Sequence, residues 1–203
     1  SGLPQGILAF PTATAPLAVT ADGLGNVYFT ASATGSLYQI PGAATAAAAV
    51  TPLQISSVVG PNPIRLMPDF NGFTGTGPTR VPNPSDIWVT SGAGYVSRVS
   101  PSTSSSDPNY LNGFSTNPFG IGSSAYGLAV TSNNNVFVSS GGTDNYITYL
   151  VGSGTSYTPS WTTAAGFAGL NNPTGISIDG QNNVWVPNNT NVGSTGSVSE
   201  ISL

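Results

Sequence analysis

The sequence predicts an all-β fold, a β-propeller of four blade-like repeats with closure by the N-terminal strand, and three observations predict it. Aliphatic anchors recur at Val27, Ile87, Val136 and Val184, spaced by 60, 49 and 48 residues, which is the size of a propeller blade. Around each anchor short apolar runs alternate with polar positions, as half-buried strands do. Glycine and proline, 26 and 17 of the 203 residues, are frequent enough to punctuate many turns and still below the level of a low-complexity chain.

One domain over residues 1–203 is expected, with repeats at about 15–59, 60–115, 125–163 and 173–203 and residues 6–10 completing the last blade. In the first repeat an apolar run at 16–21 leads through Asp22-Gly23 to Val27-Tyr28-Phe29. The fourth repeat aligns with it without gaps, from Pro173 through Asp179-Gly180 to Val184-Trp185-Val186. The third runs from Ala125 to Val130, crosses 131–135, and continues as Val136-Phe137-Val138. The second is more degenerate. Its copy runs from Thr76 through Val81-Pro82 to Asp86, which places the first strand at 76–82 and leaves 60–77 as a connection from the preceding outer strand.

Third strands are expected at Ser36–Ile40, Tyr95–Val99, 146–150 and Ser197–Ile201, and outer strands at 53–59, near 110–115 and at 157–162. The last repeat has no outer strand of its own. Gly6-Ile7-Leu8-Ala9-Phe10 is the candidate to supply it, because Phe10 and Phe167 both lie 17 residues ahead of an anchor valine. The opening Ser1-Gly2-Leu3-Pro4 reads as a processed or truncated start.

Asp22-Gly23 and Asp179-Gly180 suit hairpin turns, both residues tolerating positive φ; a calcium loop is the sharper alternative, since Asp and Asn supply hard oxygen ligands. Asn26, Asn135 and Asn183, each directly before an anchor, are placed for local bonds to the backbone. Tyr28, Trp88, Phe137 and Trp185 follow the anchors and are expected to fill the wedges between blades. A stacking platform for sugars or bases is the rival role.

The pattern of proline, small or aliphatic residues, Asp-Gly, then Asn-Val-aromatic-Val resembles the β-propellers of the NHL-repeat and streptogramin-lyase-like families. The stretch from Asn172 through Val186 and on to 197–201 carries most of the likeness. A repeat motif implies fold and says little about activity. Within that resemblance, streptogramin lyases depend on histidine, which this chain lacks, and gluconolactonase-type propellers depend on a carboxylate and amide metal centre that cannot be placed residue by residue here.

Composition narrows the function classes. The chain has seven Asp and Glu against three arginines, a net charge of -4, and neither His nor Cys. A basic footprint for nucleic acid is excluded. Without His, Lys or Cys, imidazole acid–base chemistry, Schiff bases, thiolate nucleophiles and His/Cys zinc sites are excluded, and no cofactor or metal is expected. The longest apolar run, 43–50, is far short of the ~20 residues a membrane helix needs, so no membrane insertion is expected.

Arg65, Asp69, Phe70 and Arg80, with Asp144 in a later turn, form a candidate rim site for a glycan or a small acidic ligand, because arginine holds carboxylate and sulfate groups well. The plainer alternative is a surface loop in which Arg65 and Asp69 pair. Asn188-Asn189-Thr190 is a glycosylation acceptor pattern on Asn188.

By elimination the chain reads as a non-catalytic extracellular or cell-surface propeller with a structural, adhesive or matrix role. It would assemble into a homo-oligomer or filament if residues 6–10 paired with the last strand of a neighbouring copy. A carboxylate-dependent hydrolase or lyase is the weaker alternative.

Overall fold

The structure is a computed structural model that describes residues 15–31, 35–42, 53–56, 63–69, 73–74, 81–82, 86–99, 121, 124–142, 144–153, 156–162, 169–189 and 195–202. These residues form antiparallel sheets, with no helix among them.

Blade 1 is the sheet β1 (Pro16–Ala21), β2 (Val27–Ala31), β3 (Ser36–Ile40) and β4 (Leu53–Ser56), in that spatial order. Blade 3 repeats the order with β10 (Ala125–Val130), β11 (Val136–Ser140), β12 (Tyr146–Ser153) and β13 (Ser156–Thr162). Among the described residues blade 4 has three strands, β14 (Ser177–Ile178), β15 (Val184–Asn188) and β16 (Ser197–Ile201). Its first strand is short because Thr174 and Gly175 run beside Pro187, which has no N–H to donate; an isolated bridge joins Pro173 to Asn188 further along.

Blade 2 departs from expectation. Its first strand is β5 (Pro63–Pro68), paired with β8 (Ile87–Ser91), which in turn pairs with β9 (Tyr95–Val99). The 76–82 segment is not that strand; β6 (Phe73–Thr74) and β7 (Val81–Pro82) instead make a small separate hairpin between β5 and β8. The apolar alternation of Pro63-Ile64-Arg65-Leu66-Met67-Pro68 fits the inner-strand position better than the polar 76–82 stretch, and the intervening hairpin had disguised the register. An outer strand near 110–115 and the closing strand at 6–10 lie outside the described residues.

The blades pack through their first strands in series, β1 on β5, β5 on β10 and β10 on β14. Each interface is built alike. Tyr28 and Leu37 of blade 1 meet Ile87, Val89, Val99 and Leu66 of blade 2. Trp88 and Val96 of blade 2 meet Leu128, Val136, Val138 and Leu150 of blade 3. Phe137 and Ile147 of blade 3 meet Val184, Val186, Ile176 and Ile201 of blade 4. At each junction one blade therefore offers an aromatic and an aliphatic side chain, and the next an aliphatic bed that receives them. Where β10 approaches blade 4 only glycine fits: a Cβ on Gly127 would lie 2.7 Å from the Gly175 carbonyl carbon and 2.4 Å from Ser139 Oγ.

Candidate functional site

The first turn of every blade builds a small polar cluster at one end of the sheet. In 22–26, 131–135 and 179–183 the leading N–H donates to the carbonyl of the last residue at 3.0, 2.8 and 3.1 Å. The fourth residue of each turn, Gly25, Asn134 or Asn182, has φ of 82, 61 or 67°, the left-handed position of a three-residue hairpin loop. The positive φ expected at Asp-Gly thus falls two residues later than Gly23 and Gly180. Asp serves instead as a side-chain acceptor: Asp22 and Asp179 Oδ1 each take the N–H of the last turn residue at 2.9 Å, and Thr131 Oγ1 does so at 3.0 Å.

The second carboxylate oxygen reaches onto the sheet. Asp22 Oδ2 accepts from Asn26 Nδ2 at 2.8 Å and from the Tyr28 hydroxyl at 3.0 Å, and Gln39 Nε2 donates to that hydroxyl at 3.1 Å. Burial, with the Asp22 charge, raises the Tyr28 pKa well above the ordinary tyrosine value, so the hydroxyl stays a donor. Asp179 Oδ2 likewise accepts from Asn183 Nδ2 at 3.1 Å and from the Trp185 indole N–H at 2.9 Å. The indole bond, joined by the turn N–H groups, holds the Asp179 carboxyl below its usual range. Blade 3 has a hydroxyl at the leading position, and its Asn135 Nδ2 turns to the Tyr149 hydroxyl at 2.9 Å.

Blade 2 holds the charged version of the cluster. Asp69 and Asp86 make the same frame, Asp69 N–H to Asp86 O at 2.8 Å and Asp86 N–H to Asp69 Oδ1 at 2.9 Å. Seventeen positions separate them, where four separate the equivalent residues elsewhere, and the β6–β7 hairpin fills the difference. Arg98, opposite Trp88 in the ladder, pairs with Asp86, lies 3.7 Å from Asp69 Oδ2, and sets its guanidinium carbon 5.8 Å from the Trp88 ring centroid. Asp69 is 3% exposed. Burial first, then the Asp86 charge, pushes its pKa up to about 6, against the opposing pull of the Asp86 N–H, Arg98 and Trp88. The carboxyl thus binds its proton in mildly acidic solution, enclosed at the root of the enlarged turn of blade 2.

Of the rim residues expected from sequence, the structure describes Arg65, Asp69 and Asp144. Arg65 stands exposed on β5, opposite Thr90, where the other blades have Ala18, Gly127 and Gly175. Asp69 is buried, and the arginine it meets is Arg98 and not Arg65. Asp144 lies between β11 and β12, beside Tyr146, whose pKa is raised by burial and by the Asp144 charge. Phe70 and Arg80 lie outside the described residues. Asn188 is 4% exposed; its Nδ2, the atom a glycan would occupy, donates to Ser197 Oγ at 3.1 Å and Ser199 Oγ at 2.9 Å, while Oδ1 accepts the Asn171 N–H. A glycan there would displace both hydroxyl bonds. Arg98 was missed because it reads as one polar position of an alternating strand; its register opposite Trp88 was the available signal.

The two ends of the blade row are apolar and open. On blade 1, Leu17 and Val19 are 53% and 69% exposed and, with Val27, Phe29 and Ile40, line an open recess. On blade 4, Trp185 and Val198 are 37% and 65% exposed. Their counterparts Tyr28 and Leu37, Trp88 and Val96, and Phe137 and Ile147 are all buried. Three of the four repeated aromatics therefore fill wedges as expected, and the fourth faces outward.

No family model and no curated protein matches the sequence. Solved structures do match. The chain is similar to a hydrazine synthase chain from Kuenenia stuttgartiensis (TM-score 0.68, 13% identity, 99% of this chain and 49% of that one). It is similar to a catalytically inactive virginiamycin B lyase from Staphylococcus aureus (0.57, 14%, 98% and 59%) and to a chain of the nidogen/laminin complex (0.58, 13%, 87% and 57%). The fold is that of the NHL-repeat and streptogramin-lyase-like propellers. The chain spans about half to three-fifths of the length of these structures, which include both enzymes and a matrix protein.

Proposed function

We propose that the chain is a non-catalytic propeller with a structural or adhesive role at the cell surface or in an extracellular matrix. The observation that carries this reading is the exposure of large apolar side chains at both ends of the blade row, Leu17 and Val19 at one and Trp185 and Val198 at the other. Apolar surface of this kind is costly to leave in water and marks contact sites. The surface chemistry supports the same reading, since charged residues are 5% of the chain and the described buried acids serve turns. Fractionating the producing cells, their surface and the medium tests it. Recovery in the surface or extracellular fraction is expected, and confinement to the cytosol would overturn the reading.

Assembly by strand exchange belongs to this reading. Blades 1 and 3 have an outer strand beside β3 and β12, whereas among the described residues β16 has a partner only in β15 and β9 only in β8. An unpaired strand edge is a template for another chain. Deleting residues 1–12 is expected to abolish such assembly if the strand at 6–10 supplies it.

A second reading, recognition of an acidic glycan or small anion, is favoured by Arg65. It is exposed on a first strand, one of the four that meet from blade to blade, at a position that is otherwise alanine or glycine. Arg65→Ala with Arg80→Ala should abolish retention of sulfated or carboxylated glycans on an array; unchanged retention would remove that site.

A further inference from the structure

The two open ends of the row are opposite halves of one interface that the molecule makes three times internally. At each internal junction an aromatic on the second strand and an aliphatic on the third insert into the aliphatic bed of the next blade. Blade 4 presents the inserting half, Trp185 and Val198, which no further blade among the described residues receives. Blade 1 presents the receiving half. Val27, Phe29 and Ile40 occupy the positions of Ile87, Val89 and Val99, and Val19 that of Leu66, as the ladder registers align them; Phe29 and Ile40 are buried at the floor, and Leu17 and Val19 are the exposed part of this face.

Trp185 is also already posed. Its indole N–H is fixed on Asp179 Oδ2 as the Tyr28 hydroxyl is fixed on Asp22 Oδ2, although Tyr28 sits inside a junction and Trp185 does not. A group held in its bound geometry loses little freedom on docking. Among the described residues the first strands pack in series from β1 to β14, and no comparable packing of β14 on β1 exists.

From this we infer that copies of the chain associate head to tail, the Trp185–Val198 face of one seated in the Leu17–Val19–Phe29 recess of the next. The inference deepens the structural reading above by naming the partner, and it uses blade faces where strand exchange uses the β16 edge. The contact is heterologous, so two or more copies close a ring or extend a row.

The test is the mass of the full 203-residue chain across a concentration series, by analytical ultracentrifugation, for the wild type, Val19→Asp and Val198→Asp. Both positions are exposed, so a charge there leaves the copy folded, which circular dichroism and melting would verify. A buried unpaired carboxylate should weaken association roughly tenfold or more. The wild type is expected to form dimers or larger species and each variant to remain monomeric. An equimolar mixture of the two variants should recover heterodimers and nothing larger, because the Val19→Asp copy keeps its inserting face and the Val198→Asp copy its recess. A wild type that stays monomeric at the highest attainable concentration would overturn the inference. So would assembly that survives both charges, and if that assembly vanished on deletion of residues 1–12 it would belong to strand exchange. Either failure leaves the cell-fractionation result, and with it the structural reading, to stand or fall separately.

Discussion

Asp69 shows how one residue can make the whole chain sensitive to pH. Its folded pKa is about 6, against an ordinary 3.8, so between those values the folded chain binds a proton that the unfolded chain does not. Stability therefore falls as pH rises through that window, and the penalty is fully present above it. Asp179 acts in the opposite sense: its carboxyl is held below the ordinary range, so its contribution is present at neutral pH and is lost only under stronger acid. The two effects occupy different windows and can be separated. Thermal melting at pH 7, 6 and 5 should show the wild type becoming more stable on acidification to pH 5. Asp69→Asn should flatten that dependence, because it keeps an acceptor for the Asp86 N–H and removes the buried charge. Arg98→Met should steepen it and cost about 3 kcal/mol at pH 7, since two neighbouring carboxylates would lose their shared cation. A wild-type profile that is flat from pH 7 to 5 would show that the site relaxes enough to hydrate Asp69.

At the scale of the element, local backbone geometry decides what a strand or turn tolerates. Gly127→Ala would drive a methyl into Gly175 backbone and Ser139 Oγ; the backbone cannot retreat without opening the contact between blades 3 and 4, and the hydroxyl can turn away only by giving up the Gly127 N–H. A loss of about 2 to 3 kcal/mol is expected. Gly180→Ala is the matched control, because its added carbon meets nothing within 4 Å and its φ is not left-handed; the change should stay within about 0.5 kcal/mol. Equal melting shifts in the two variants would refute the close-approach argument. The same geometry explains what could be read in advance. Strands such as Ser36–Ile40 and Tyr95–Val99 were legible because alternation and register are local consequences of a two-residue period. The first strand of blade 2 was not, because the insertion between Asp69 and Asp86 broke the spacing that aligned the other three. Asp69 itself was picked as a rim ligand; only the hydrogen-bonded frame shared with Asp22, Thr131 and Asp179 identifies it as the first residue of a turn.

For the molecule as a whole, the order of the blades matters more than any single contact. Blades 2 and 3 are covered on both faces, with Ile87, Val89, Val96 and Val138 all buried, whereas blade 1 leaves Leu17 and Val19 exposed and blade 4 leaves Trp185 and Val198 exposed. Sequence could name the aromatic that fills each wedge, yet not that Trp185 would lack a wedge to fill, since exposure depends on which blade stands next. That asymmetry predicts a gradient in local stability. Opening a strand whose two faces are buried must expose two apolar layers, and opening an end strand only one, so amide exchange should be slowest in β8 and β11 and faster in β1 and β16. Peptide-resolved hydrogen exchange measures this directly. If copies join through their ends, protection of β1, β15 and β16 should rise with protein concentration while that of β8 and β11 does not, because only the end faces gain a neighbour. Uniform protection across all four blades at low concentration would mean that the ends are already covered within one copy, and the row would then have to close on itself.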